Sequence, residues 1–159
     1  PTQYIMWRFA GNEDQEGLPF VGRAGKLLDK MLNSINLDRT SVYITNVVNY
    51  RPPENRKPTD VEIERYLPFL IKHILIMKPK IIILLGGTAL SALIGKNEVI
   101  SKARGKWHDK VFEDTSISIM PSFHPAFLMR QPEQKKLAWI DLKMIRDKIK
   151  KLGIKIEKS

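Results

Sequence analysis

Apolar residues recur along this chain at two spacings, and each spacing predicts a different element. Gln3–Trp7 is a short apolar run that suits a strand. From Lys26 to Ile35 the apolar positions Leu28, Met31, Leu32 and Ile35 fall three or four apart, the mark of one helical face. Ser41–Val48 is β-branched and reads as a second strand. Thr59 starts the next helix, with Glu62 three residues on as a capping box. Its apolar stripe is Ile63, Leu67, Leu70, Ile74 and Met77, and Pro68 is expected to kink it or set its first turn. Lys80–Leu85 is a third strand, apolar on both faces and so buried on both. Thr88–Ile94 predicts a short helix and Ile117–Pro121 a fourth strand. Glu133–Leu152 predicts a long helix with its stripe at Ala138, Leu142, Ile145, Ile149 and Leu152.

Strands alternate with helices, which predicts an α/β fold with a mostly parallel sheet covered on both faces. Ligands in such folds bind beyond the carboxyl ends of the strands. The unusual segments sit there. The first strand leads into the glycine-rich stretch Gly11–Gly25 and the second into Asn46 and Arg51-Pro52-Pro53. The third leads into Gly86-Gly87-Thr88 and the fourth into Ser122-Phe123-His124-Pro125. These loops predict one site on a shared edge.

Composition narrows the class. A chain of 159 residues with 43% hydrophobic content fits a single domain with one core. No segment is long and apolar enough to span a membrane, so no membrane partner is expected. There is no cysteine, which excludes disulfides and thiolate-held metals. The net charge of +10 suits a phosphate-rich partner, and equally a lysine-rich solvated surface. The nine basic and four acidic residues after Pro132 read most simply as such a face. A basic, cysteine-free chain without a leader suits an intracellular, cytoplasmic setting, and Pro1 implies an incomplete N-terminus.

Each candidate residue has a structural and a functional reading. Gly86-Gly87-Thr88 is either a tight turn or a backbone cradle for phosphate at a helix start. It lacks the lysine of a P-loop and the spacing of a dinucleotide fingerprint. His124 is either structural or, by its place on the binding edge, catalytic; His73 and His108, in a helix and a polar loop, have no metal-ligand company. Asn46 is either a turn former or an amide aimed at a base. An amide offers a donor beside an acceptor, which matches the N3–H and O4 of uracil and mismatches cytosine. Phe20 is either a core plug or a stacking platform for a flipped base.

Several blocks together resemble the family 4 uracil-DNA glycosylases. They are Gly17-Leu18-Pro19-Phe20-Val21-Gly22-Arg23-Ala24-Gly25, Ile44-Thr45-Asn46-Val47-Val48 and Arg51-Pro52-Pro53-x-Asn55-Arg56. Further on come Leu84-Leu85-Gly86-Gly87-Thr88-Ala89, Arg104-Gly105-Lys106-Trp107 and His124-Pro125-Ala126-Phe127-Leu128-x-Arg130-x-Pro132. The resemblance runs from about Glu13 to Asp147, and the order and spacing of the blocks are more specific than any one of them. It implies three α/β/α layers around a four-stranded mostly parallel sheet, while the length suits one domain over residues 1–159 and a monomer is expected. It implies release of uracil from DNA by hydrolysis of the N-glycosidic bond. By position, Phe20 would stack on the uracil, Asn46 would read N3–H and O4, and His124 would donate a hydrogen bond to O2. Gly86, Gly87, Thr88 and Ser122 would contact phosphates, while Leu128 and Arg130 would belong to a loop wedged into the duplex. No lysine matches a site position, so no Schiff base and no strand cleavage are expected.

Two departures qualify the resemblance. Where the family has Gly-Glu-(Ala or Gly)-Pro-Gly, with an acidic residue that assists water, this chain has Arg8-Phe9-Ala10-Gly11. The family also binds a [4Fe–4S] cluster through four cysteines. Two of these match Tyr50 and Tyr66, so no cofactor or metal is expected here. The rival readings are a catalytically impaired DNA-binding relative and a nucleotide-binding α/β module.

Overall fold

The computed structural model describes residues 4–8, 23–37, 43–46, 60–95 and 97–153. The elements are β1 (Tyr4–Arg8), α1 (Arg23–Ser34), β2 (Tyr43–Asn46), α2 (Asp60–Met77), β3 (Ile81–Leu85) and α3 (Gly87–Leu93). They continue with α4 (Ile100–Ala103), β4 (His108–Phe112), β5 (Thr115–Ser122), α5 (Pro125–Arg130), a 3-10 turn (Pro132–Gln134) and α6 (Lys135–Lys151). The α/β class holds. The four expected strands form, and among the described residues a fifth, β4, corrects the count, in the order β2-β1-β3-β5-β4. The β2-β1-β3-β5 pairings are all parallel, and β4 joins β5 antiparallel at one edge.

The core follows from the period of two in β3. Ile81, Ile83 and Leu85 face one side of the sheet, where Leu28, Leu32 and Ile35 of α1 and Ala138, Leu142, Ile145 and Ile149 of α6 pack on them. Ile82 and Leu84 face the other side with Ile117 and Ile119 of β5, under Leu70 and Ile74 of α2. The predicted stripes of α1 and α6 are therefore core faces, except that Leu152 lies beyond α6 and is exposed. Side-chain positions of Ile63 and Met77 lie outside the described residues.

Local chemistry sets the boundaries. Two residues past the end of α1, Asn36 takes the left-handed φ of 65°. The Leu37 N–H then returns to the Leu32 carbonyl at 2.8 Å, closing a Schellman-type cap. Pro68 lies in the interior of α2 on its exposed side, not in the first turn. There its missing N–H leaves a gap in the helix bonding.

Three elements escape the hydrophobic pattern. β4 buries only Phe112 fully, and its turn is Glu113-Asp114 in place of a glycine-bearing pair. His108, predicted in a loop, opens this strand. α4 and α5 span four and six residues, too short to display a period.

Candidate active site

The parallel register lines up the carboxyl ends of the strands. Arg8 pairs with Asn46, Trp7 with Leu84, and Leu85 with Ser122. Asn46 and the residues after Leu85 and Ser122 therefore share one edge, the side on which open α/β sheets bind ligands. Strands about 4.8 Å apart put the β2 and β5 ends about 14 Å from each other. The side chain of Asn46 and all of Phe20 lie outside the described residues.

His124 is held by the start of α5. It is the N-cap, with φ −66° and ψ 139°, and Pro125 follows at the first helical position. Its carbonyl accepts from Phe127 N–H at 3.0 Å, and its ring Nδ1 accepts from Ala126 N–H at 3.0 Å. A ring nitrogen that accepts a hydrogen bond carries no proton. In the neutral ring the proton is therefore on Nε2, which is buried. The caps that shape the helix end thus also select the tautomer.

Gly86 closes on this histidine from the neighbouring turn. Its N–H donates to the Ser122 carbonyl at 3.0 Å, and its φ is +93°. A Cβ there would sit 3.3 Å from the His124 Cβ. Glycine is required twice at this position, by conformation and by space. Gly87 differs, because a Cβ there meets no described atom within 4 Å. Thr88 begins the body of α3, with its side chain outside the described set.

Below the turn lies a buried ion pair. Asp141 of α6 is fully buried and receives Arg104 Nη2 at 2.6 Å and Nε at 3.1 Å, the two-pronged geometry of guanidinium on carboxylate. Ser122 Oγ donates to the same carboxylate at 2.6 Å. The Asp141 hydrogen bond raises the Arg104 pKa, against desolvation, and the charge of Asp141 adds to the rise. Gly105 has φ +73°, and a Cβ on it would lie 3.0 Å from Asp141 Oδ1. This network joins α6, the segment after α4 and the end of β5, two residues before His124.

Two assigned side chains are engaged within the fold in this structure. Ser122 is 3% exposed and committed to Asp141, so its hydroxyl supports the turn and does not face a phosphate. Leu128 is 1% exposed within the core, so its side chain cannot act as a wedge from where it sits. Arg130 at the end of α5 is exposed. Pattern reasoning missed Asp141, although a signal was present. Position 141 lies on the same helical face as Ala138, Leu142 and Ile145, and a carboxylate on an apolar stripe needs a buried partner.

The model of the uracil DNA glycosylase superfamily matches residues 10–143. The chain belongs to this superfamily. Among similar proteins are type-4 uracil-DNA glycosylases from three organisms. The Sulfurisphaera tokodaii protein is 43% identical over 86% of this chain and 64% of its own length. Those of Saccharolobus solfataricus and Thermotoga maritima are 38% and 41% identical, over 92% and 89% of this chain and 70% and 73% of theirs. This superfamily member thus spans about two thirds of the length of these curated relatives.

An iron–sulfur cluster does not fit the residues present. The chain has no cysteine, and among the described residues no group of three or more His, Asp or Glu is placed to hold a metal. Tyr66 lies in α2 with its side chain outside the described set, and Tyr50 lies outside it altogether. No helix among the described residues is long and apolar enough to cross a membrane.

Proposed function

We propose that this protein is a monofunctional uracil-DNA glycosylase, hydrolysing the N-glycosidic bond of deoxyuridine in DNA to release uracil and leave an abasic site. The observation that carries this reading is the Ala126 N–H bond to His124 Nδ1 at 3.0 Å. It places the proton of the neutral ring on Nε2, in a residue that follows β5 at the ligand-binding edge of the sheet. As the glycosidic bond breaks, the base departs with negative charge developing on O2. A neutral donor held in advance stabilises that charge without reorganising. Water adds at the sugar C1′, and the released uracil anion gains the proton that completes the hydrolysis.

In this reading Phe20 stacks on the extruded uracil, and the Asn46 amide accepts from N3–H and donates to O4. The backbone of Gly86, Gly87 and Thr88 approaches a phosphate, a reading supported by the lack of any described atom within 4 Å of a Cβ at Gly87. Arg130, exposed at the end of α5, adds a contact to DNA. Ser122 and Asp141 hold the turn that carries His124. The unit is a single domain over 1–159, monomeric and intracellular, working without a metal cofactor.

One observation favours a second reading, a DNA-binding relative with impaired catalysis. Arg8-Phe9-Ala10-Gly11 stands where the family pattern has the acidic residue that assists water. Excision of uracil from a labelled oligonucleotide tests both. Measurable release supports the enzyme. Salt-dependent DNA binding with no release supports the impaired relative, and absence of both overturns both.

A further inference from the structure

Two adjoining cavities open between α1, α5 and α6, and neither is lined by His124. The larger, about 430 Å³, is lined by Arg23, Lys26, Leu27, Lys30, Met129 and Lys135. The smaller, about 240 Å³, shares Leu27, Lys30 and Lys135 with it and extends over apolar side chains to Trp139. The sequence explains the charge. Positions 23, 26 and 30 are three and four apart, so they lie on one face of α1. Lys135 starts α6 on the other wall. Among the described lining residues of both cavities no acid appears.

This cluster differs from a generic solvated face. Lys26 and Lys30 stand four apart on one helix, where like charges repel. Trp139 shares the smaller cavity with Lys30 and Lys135 and is 40% exposed, with Lys143 Nζ 5.8 Å from its ring centre. Cations that line a cleft beside an exposed aromatic ring are the combination that binds unpaired nucleic acid: phosphates on the charges, a base on the ring. Duplex DNA hides its base faces and has no use for the ring.

The position also fits. α5 begins at the His124 cap, and Met129 in the cleft wall is five residues along it. At about 1.5 Å per residue this is about 8 Å along the helix axis. An unpaired strand is more extended than the rise of about 3.4 Å per nucleotide in a duplex, so the span is about one nucleotide.

Resting on the glycosylase reading, we propose that this cleft carries an unpaired stretch of the DNA strand next to the extruded nucleotide. Arg23, Lys26, Lys30 and Lys135 hold its phosphates, and Trp139 stacks on one of its bases. The protein would then engage single-stranded DNA beyond the nucleotide it excises.

The test is equilibrium binding of uracil-free oligonucleotides, single-stranded and duplex, between about 50 and 200 mM salt. The variants are the triple Lys26→Gln/Lys30→Gln/Lys135→Gln, Trp139→Ala and Trp139→Phe, with melting curves as the check on folding. The triple variant should reduce the single-strand salt slope by about two, since each phosphate contact contributes about 0.7. Trp139→Ala should weaken single-strand binding at least about fivefold and Trp139→Phe should restore most of it. Duplex binding of the tryptophan variants should be unchanged, as should single-turnover excision by saturating enzyme. An unchanged salt slope in the folded triple variant overturns the proposal. So does an equal loss of duplex and single-strand binding in Trp139→Ala. A wild-type protein that binds single strands in this way but releases no uracil overturns the proposed activity and supports the cleft assignment.

Discussion

Gly86 and His124 meet across two strand-to-helix turns: a Cβ on Gly86 would lie 3.3 Å from that of His124. The Gly86 φ of +93° with ψ of 172° is a region that glycine alone occupies readily. Gly86→Ala should therefore cost about 1–3 kcal/mol of stability. It should also displace His124 and lower the single-turnover rate. Gly87→Ala is the control, because a methyl there meets no described atom within 4 Å. It should leave stability unchanged while weakening DNA binding. Urea unfolding and filter binding of both variants check this, and equal stability losses would refute the distinction.

Asp141→Ala removes the counter-charge of a guanidinium that is 15% exposed. Leaving one partner of a buried pair uncompensated costs about 3–5 kcal/mol, here discounted toward the lower end for the residual exposure. The pair's contribution through Arg104 is fully present below the ordinary arginine pKa. It is lost only as pH rises through the raised value, so this part should be constant across neutral pH. Ser122→Ala should cost about 1 kcal/mol and leave DNA affinity unchanged. A weaker DNA complex with unchanged stability would return Ser122 to the phosphate-binding role.

His124 combines a cap and a donor, and two substitutions separate them. His124→Ala loses both, with a capping cost of about 1 kcal/mol. His124→Asn keeps a good N-cap but not the ring Nε2–H. In single-turnover excision each should slow release by about a hundredfold or more, with a smaller effect on DNA affinity. Thermal melting should show Asn more stable than Ala. An unchanged rate in either variant would remove His124 from the chemistry.

Iron and acid-labile sulfide in protein of this sequence should fall well below one equivalent per chain. Cluster iron needs thiolates, and the residues matching two ligand positions are Tyr50 and Tyr66, whose phenols are hard oxygen donors. Stoichiometric iron with a visible charge-transfer spectrum would overturn the expectation.

The sequence by itself determined the features that depend on near neighbours. Leu28, Leu32 and Ile35, or Ala138, Leu142 and Ile149, declare a buried helix face because residues three and four apart share a side. Ile81–Leu85 declares a strand buried on both faces for the same local reason. The convergence of Asn46, Gly86 and His124 on one edge followed from the alternation of strands and helices. The tertiary structure alone decided which side chains of those loops look outward. Leu128 follows the histidine in the sequence yet belongs to the core, because α1 packs on α5. Ser122 resembles a surface hydroxyl until Asp141, 19 positions later, accepts its O–H. Asp141 resembles part of a solvated face until Arg104, 37 positions earlier, meets it. Strand order, and the antiparallel β4 with its single fully buried residue, belong to the same group. A local period reports which face a residue is on. The partner of a buried polar group comes from distant parts of the chain, and only the folded packing brings it within hydrogen-bond reach.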